Sequence, residues 1–218
     1  MVLDKAIHLN RTEIKSRYLY HFIKRIIDIV GSALGLLFLS PLFLCVALAM
    51  KREEKDGPIF FSQTRIGHDG KKFEIYKFRS MCVDAEEKLA ALMELNEVEG
   101  AMFKMKDDPR ITKVGQFIRK TSIDELPQLW NVLRGDMSLV GPRPPLPREV
   151  VEYTDYDMQR LFAKPGCTGL WQVSGRNDVQ FKDMVQLDLN YIQNQSTGND
   201  IKIIIKTVGV MLKPNGAY

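Results

Sequence analysis

Asp124 and Glu125 are adjacent carboxylates in a stretch rich in cations: Arg119 and Lys120 precede them, and Arg134 and Arg143 follow. A carboxylate can act as a nucleophile, or hold a divalent ion that keeps water and phosphate as its other ligands. Arginine grips phosphate oxygens through paired N–H donors, so this charge pattern suits an anionic substrate. Helix capping accounts for the same residues. Asp124 can cap a helix beginning at Glu125, with Pro127 in its first turn, or Ser122 and Glu125 can form a capping box. The readings are compatible, because a helix N-terminus also favours phosphate. Lys77 and Arg79, in YKFRSM, share one face of an expected strand opposite Tyr76 and Phe78, as anion ligands or as solvated edge charges. The chain has no Walker loop, Rossmann glycine fingerprint, HExxH helix or GxSxG elbow. Cys45, Cys82 and Cys167 show no CxxC spacing, and His8, His21 and His68 are scattered, so neither a disulfide frame nor a histidine metal cluster is expected.

The element that must place these residues is the apolar run ending at Met50. Residues 29–50 carry no charged side chain, and about 20 apolar residues suffice for a helix to cross a bilayer. Pro41 removes a backbone hydrogen bond in the middle of the run. Arg17, Lys24 and Arg25 precede it, and Lys51, Arg52 and Lys55 follow. A crossing segment should be basic mainly on one side. Two readings stand: a helix that enters the membrane, breaks at Ser40-Pro41 and leaves on the same face, or a single span with a tolerated proline. In the first, the freed carbonyl needs the Ser40 hydroxyl or a packed neighbour. A cleaved signal peptide is disfavoured by the length and position of the run.

Beyond it, Pro58–Phe61 and Lys72–Phe78 alternate in polarity around the turn His68-Asp69-Gly70, which predicts a β-hairpin. Asp84 to Asn96 reads as an amphipathic helix, residues 97–108 as loop, and Ile111 to Lys120 as another helix. Leu126, Leu129, Trp130 and Leu133 follow the spacing of a helix with one buried face, ended by Gly135. Gly141–Pro145 must be extended, since residues before proline leave the helical region. Residues 151–163 read as helix, 166–176 as loop and 181–193 as helix. The last stretch, IKIIIKTVGVMLK, is either a core helix or one lying in a membrane interface with its lysines snorkelling.

Taken together, KRIIDI with the apolar run and its Ser40-Pro41, GPIFFSQTRIG, IYKFRSM, RKTSIDELPQLWNVLRGDMSLVGPRP and KPGCTGLWQVSGRN resemble the bacterial sugar transferases, the monotopic polyprenyl-phosphate phosphoglycosyltransferases. The resemblance covers residues 19–215. It implies transfer of a sugar 1-phosphate from a UDP-sugar to undecaprenyl phosphate, with release of UMP, as the first membrane step of exopolysaccharide or capsule assembly. Asp124 matches the family nucleophile, Glu125 its partner, and Mg²⁺ is the ion implied for the pair. Lys77, Arg119 and Arg143 match family cations expected at the phosphates, with Arg79 grouped beside them. Gln172 and Arg176 match a loop expected near nucleotide or sugar. Ser40-Pro41 matches the break of a re-entrant helix, and Arg25 and Asp28 the motif before it. The sequence GLWQVSGR is closer to members that transfer a hexose phosphate, so UDP-glucose or UDP-galactose is the expected donor.

The fold expected is α+β and helix-rich, membrane-associated and monotopic. It comprises an N-terminal arm (1–18), a re-entrant membrane helix hairpin (19–52) and a cytosolic catalytic domain with a small β-hairpin and interfacial amphipathic helices (53–218). It would sit on the cytoplasmic face of a bacterial cell membrane, with the lipid bilayer as partner and room for a homodimer or downstream glycosyltransferases. Apolar content of 45% and charged content of 27% mark a globular chain. A net charge of +4 suits an anionic leaflet and is too small and too scattered for a nucleic-acid binder. The remaining alternative is a non-catalytic membrane adaptor of a polysaccharide assembly complex.

Overall fold

The computed structural model describes residues 7–85, 87, 88, 105, 108–175 and 180–212. Most of the amphipathic helix expected over Asp84–Asn96 lies outside the described residues, as does Arg176.

The chain opens with a short helix, α1 (Arg11–Lys15), whose first amides are capped by the Asn10 side chain. The helix is anchored to the rest of the fold: Ile14 is buried, and Arg11 and Lys15 both pair with Asp69 at the hairpin tip. The apolar run forms α2 (Tyr18–Glu53), which remains helical through Ser40-Pro41. The expected break is therefore not a loss of helix. Pro41 has no N–H to offer the Leu37 carbonyl, and the Ser40 hydroxyl donates to that same carbonyl at 2.7 Å, which keeps the acceptor satisfied. Only 11% of the most apolar window of α2 is buried. Leu34, Leu37, Phe38, Leu44 and Leu48 are exposed.

Both ends of α2 meet the same body. Near its start, Arg25 donates to the Val132 and Leu133 carbonyls at 2.7 and 2.8 Å. Asp28 accepts from the Ser138 hydroxyl and the Leu139 amide, both at 2.9 Å. Lys24 pairs with Asp200 at 2.8 Å. Near its close, Val46 and Met50 pack with Phe78 and Ile118 in an apolar cluster, and Glu53 accepts from the Lys113 and Val114 amides.

The hairpin is longer than the alternation indicates. Strand β1 (Phe60–Ile66) pairs antiparallel with β2 (Lys72–Phe78), Phe60 opposite Phe78 and Ile66 opposite Lys72. Asp69 and Gly70 make the tip with positive φ, a conformation that Asp and Gly tolerate best. Helix α3 (Lys113–Lys120) starts at a Thr112 cap. Helix α4 (Gln128–Arg134) ends at Gly135, whose φ of 95° is left-handed.

Two expectations are corrected here. The stripe of Leu126, Leu129, Trp130 and Leu133 is not the core face of α4: Trp130 is 49% exposed, whereas Asn131 and Val132 are fully buried. Leu129 instead lies against Gly35 of α2, where a Cβ would come within 2.9 Å of it. The polar face wins the interior because Asn131 finds partners there, accepting from the Tyr76 amide at 3.0 Å and donating to the Glu74 carbonyl at 2.7 Å. Second, residues 166–176 are not all loop. Strand β3 (Ser138–Val140) pairs in parallel with β4 (Gly166–Thr168). The backbones approach so closely that a Cβ on Gly166 would sit 2.0 Å from the Gly141 amide nitrogen.

Residues 151–163 are not one helix: α5 (Pro147–Val151) and α6 (Asp155–Met158) are separate, and Gln159–Phe162 is a 3-10 turn. Helix α7 (Phe181–Gln193) contributes Val185, Leu189, Tyr191 and Ile192 to the largest apolar cluster, and α8 (Thr197–Leu212) adds Ile203. Ile201, Ile205 and Val208 on α8 stay exposed beside Lys202 and Lys206.

Candidate active site

The dyad lies between α3 and α4. Thr121 closes α3, and Ser122 turns the chain with φ 56°, a left-handed residue other than glycine. Such a conformation costs free energy and is held by its surroundings. Residues Ile123–Glu125 then form a single 3-10 turn, and α4 begins only after Pro127. Neither Ser122 nor Pro127 makes a side-chain cap bond. The capping readings of Asp124 and of Ser122 with Glu125 are therefore overturned. Pro127 cannot donate an N–H and starts the helix by its fixed φ, so both carboxylates are released from capping.

Lys77, on β2, reaches Glu125 at 2.6 Å. The Asn131 clamp on the Tyr76 amide and the Glu74 carbonyl holds β2 against α4, which fixes that approach. Burial pushes the Asp124 carboxyl up to about 6, with the Glu125 charge adding and Lys77 and Arg119 opposing. Burial would also raise Glu125, but the Lys77 charge and hydrogen bond outweigh it, helped by Arg143 and Arg65, and hold it below its ordinary value. The pair is thus differentiated: Glu125 is held below its ordinary value by its ion pair, and Asp124 is raised to about 6.

The cations divide in two. Lys77, Arg119 and Arg143 gather at the dyad. Among the described residues the Arg143 guanidinium makes only a 3.7 Å ion pair, with Glu149, which leaves donors for further partners. Arg79 does not join them. Its guanidinium pairs with Glu54 and donates from Nε to the Pro58 carbonyl at 2.7 Å, so it pins the hairpin to the end of α2. Gln172 lies on the turn after β4, its amide nitrogen 3.5 Å from the Cys167 carbonyl and its buried Oε1 without a partner among the described residues. Beside it the Trp171 indole nitrogen is likewise buried and unpartnered.

Arg65 is a further cation near Glu125 and Arg143 that the residue types did not single out. It is 8% exposed, donates to the Pro144 carbonyl at 3.1 Å and to Gln63 at 2.9 Å, and leaves Nε unpartnered. Burial first, and then the nearby charge of Arg143, pull its guanidinium down to about 10. The signal available was the stretch GPIFFSQTRIG, which contains Arg65; residue type on a strand does not by itself single it out.

Among the described residues no three metal-ligating side chains converge. Two adjacent carboxylates fit a hard ion that takes most of its ligands from water and phosphate, and do not fit a closed protein cage.

A family model described as "Bacterial sugar transferase" matches residues 19–214. The chain is 50% identical over 202 residues to "Galactosyl transferase CpsE" of Streptococcus agalactiae, covering 92% of this chain and 44% of that one. It is 49% identical over 201 residues to "Undecaprenyl-phosphate galactose phosphotransferase" of Salmonella typhimurium, covering 90% and 42%. It is 41% identical over 199 residues to "Exopolysaccharide production protein ExoY" of Rhizobium meliloti, covering 89% and 88%. The chain therefore spans less than half the length of the first two and most of the third. With the family pattern matched from the start of α2 to beyond α8, this chain belongs to the bacterial sugar transferase family.

Proposed function

We propose that this protein transfers a hexose 1-phosphate, galactose or glucose, from a UDP-hexose to undecaprenyl phosphate, as the first membrane step of exopolysaccharide or capsule assembly. The observation that carries the reading is a carboxylate released from helix capping and set among Lys77, Arg65, Arg119 and Arg143, beside a helix whose apolar surface is bare.

The Asp124 carboxylate attacks the β-phosphorus of the donor. A bond forms from its oxygen to phosphorus, and the bond from phosphorus to the bridging oxygen breaks, so UMP leaves with the electron pair. An oxygen of undecaprenyl phosphate then attacks the same phosphorus and displaces the carboxylate. The product is undecaprenyl diphosphate hexose, and Asp124 is regenerated. Both nucleophiles are anionic above pH 6 or so, given the Asp124 carboxyl at about 6, and neither step needs a general base. The demand is for charge neutralisation, which Lys77, Arg119 and Arg143 supply at the phosphates. Glu125, held by Lys77, stays ionised and makes its neighbour more basic, so the Asp124 carboxylate is the better nucleophile once it is ionised. Gln172, with Arg176, belongs to the donor side. Mg²⁺, held by Asp124 and Glu125, would supply further neutralisation of the diphosphate.

One substrate is soluble and the other is embedded in lipid, so the site must lie at a membrane surface. Support for a re-entrant α2 comes from its two ends gripping one body, its basic flanks and its exposed apolar middle. The exposed Ile201, Ile205 and Val208 of α8, with Phe117 and Trp130, suit an interfacial rim. The catalytic body then lies on the cytoplasmic face.

The test is UMP release by purified protein in detergent or lipid, given undecaprenyl phosphate, Mg²⁺ and a panel of UDP-sugars. Release is expected with a UDP-hexose, and Asp124→Asn should abolish it while the protein stays folded. Silence across the panel from folded protein would sink the proposal in favour of a non-catalytic adaptor.

A further inference from the structure

The loop that carries Arg143 to the dyad is held in an unusual way. Pro142, Pro144 and Pro145 have no N–H, so the loop cannot brace itself through its own amides. All four carbonyls from 142 to 145 are instead taken by donors from other elements. The Gly166 amide reaches Pro142 at 2.9 Å and the Ile66 amide reaches Pro145 at 3.0 Å. Arg65 reaches the Pro144 carbonyl at 3.1 Å, and Arg160 the Arg143 carbonyl at 3.4 Å.

Arg160 is 2% exposed. Its Nε and Nη2 both meet one oxygen of Asp188, at 2.8 and 2.7 Å. Its Nη1 donates to the Tyr153 hydroxyl at 2.7 Å, with the Tyr153 ring centroid 5.7 Å from the guanidinium carbon. The other Asp188 oxygen is buried without a partner among the described residues. A buried ion pair of this kind is a weak source of stability, and an apolar replacement often does as well. What an apolar pair could not do is hold the Arg143 carbonyl. Arg143 needs that hold, because the 3.7 Å pair with Glu149 leaves its aim to the backbone, and Glu149 is also engaged by the Leu146 amide at 2.8 Å.

We infer that Arg160, anchored by Asp188 and Tyr153, is a positioning residue that sets the direction from which the Arg143 guanidinium meets the substrate phosphate. The inference rests on the proposed reaction. It assigns a task in that reaction to a pair that lies under the site and touches no substrate.

The experiment is a double-mutant cycle on purified protein, reading kcat and KM for the UDP-sugar together with the unfolding midpoint. Arg160→Lys keeps a charge for Asp188 and loses the planar fork that reaches the Arg143 carbonyl. Arg143→Ala is expected to lower kcat/KM about tenfold or more. Arg160→Lys should lower it by several-fold in the native background and by nothing further in the Arg143→Ala background. A purely structural defect would reduce the active fraction equally in both backgrounds, and that result overturns the inference, as does an inert Arg160→Lys. An inert Arg143→Ala overturns it too, but through the phosphate role assigned to Arg143. Should Arg160→Lys fail to fold, Tyr153→Phe removes only the bond on Nη1 and enters the same cycle, where an equal effect with and without Arg143 counts against the inference.

Discussion

The two ends of α2 grip the catalytic body by different means. The leading end does so through directed polar contacts. Arg25 caps the last carbonyls of α4, Asp28 receives β3, and Lys24 meets Asp200. The trailing end does so by apolar packing of Val46 and Met50 on Phe78 and Ile118, with Glu53 on the first amides of α3. Both charged contacts have the sign that the helix dipole favours, a cation at a C-terminus and an anion at an N-terminus. The dyad lies between the two helices so capped. Hydrogen bonds fix rotation and register because they are directional, whereas apolar burial supplies free energy with little geometric demand. The leading end should therefore set the geometry of the site, and the trailing end its stability.

Three variants test that division, taken from the largest effect downward. Met50→Ala opens a cavity at the trailing end and should cost about 2–5 kcal/mol, read as a fall in the unfolding midpoint, with the turnover of the folded fraction unchanged. Arg25→Met leaves two carbonyls of α4 without their donor and should cost about 1.5–3 kcal/mol. Here turnover should fall as well, because α4 follows directly on the dyad. Equal turnover in the two variants at matched folded fraction would collapse the comparison. The smallest effect concerns the dyad itself. The folded protein binds the Asp124 proton more tightly than the unfolded chain, because the carboxyl stands at about 6. Its contribution to stability is fully present below about pH 4 and is lost as pH rises through about 6. Asp124→Asn should accordingly be more stable than the native protein above pH 6 or so, the gap closing towards about pH 4. A variant less stable than native at neutral pH would show that the buried charge is compensated by its neighbours.

Much of the frame was legible because it is written in local chemistry. The uncharged run ending at Met50 makes a long apolar helix wherever it lies. The alternation up to Phe78 makes a strand, and the three prolines after Gly141 forbid a helix there. The mistaken face of α4 is instructive. A stripe of Leu126, Leu129, Trp130 and Leu133 would be the inner face in a soluble protein, but here α2 takes Leu129 and leaves Trp130 bare. Periodicity reveals which residues share a face, and the neighbours decide which face is covered. Arg79 and Arg65 make the same point in opposite directions. Both sit in stretches that carry the resemblance, yet the first is spent on Glu54, while the second, which residue type alone does not single out, lies beside Arg143.

The sequence by itself determined the chemistry available: two adjacent carboxylates, a supply of cations and an apolar segment, each set by residue type and short-range sterics. The tertiary structure decided the use made of them. Only the left-handed turn at Ser122 shows that Asp124 and Glu125 cap nothing, and only the contact with Lys77, 48 positions earlier, separates their protonation. Likewise, only the fold brings Arg160 under Arg143 and Arg65 to Pro144, 17 and 79 positions apart. The reason is physical. Burial and hydrogen-bond geometry depend on which distant groups arrive at the same place, and no local pattern of residues records that.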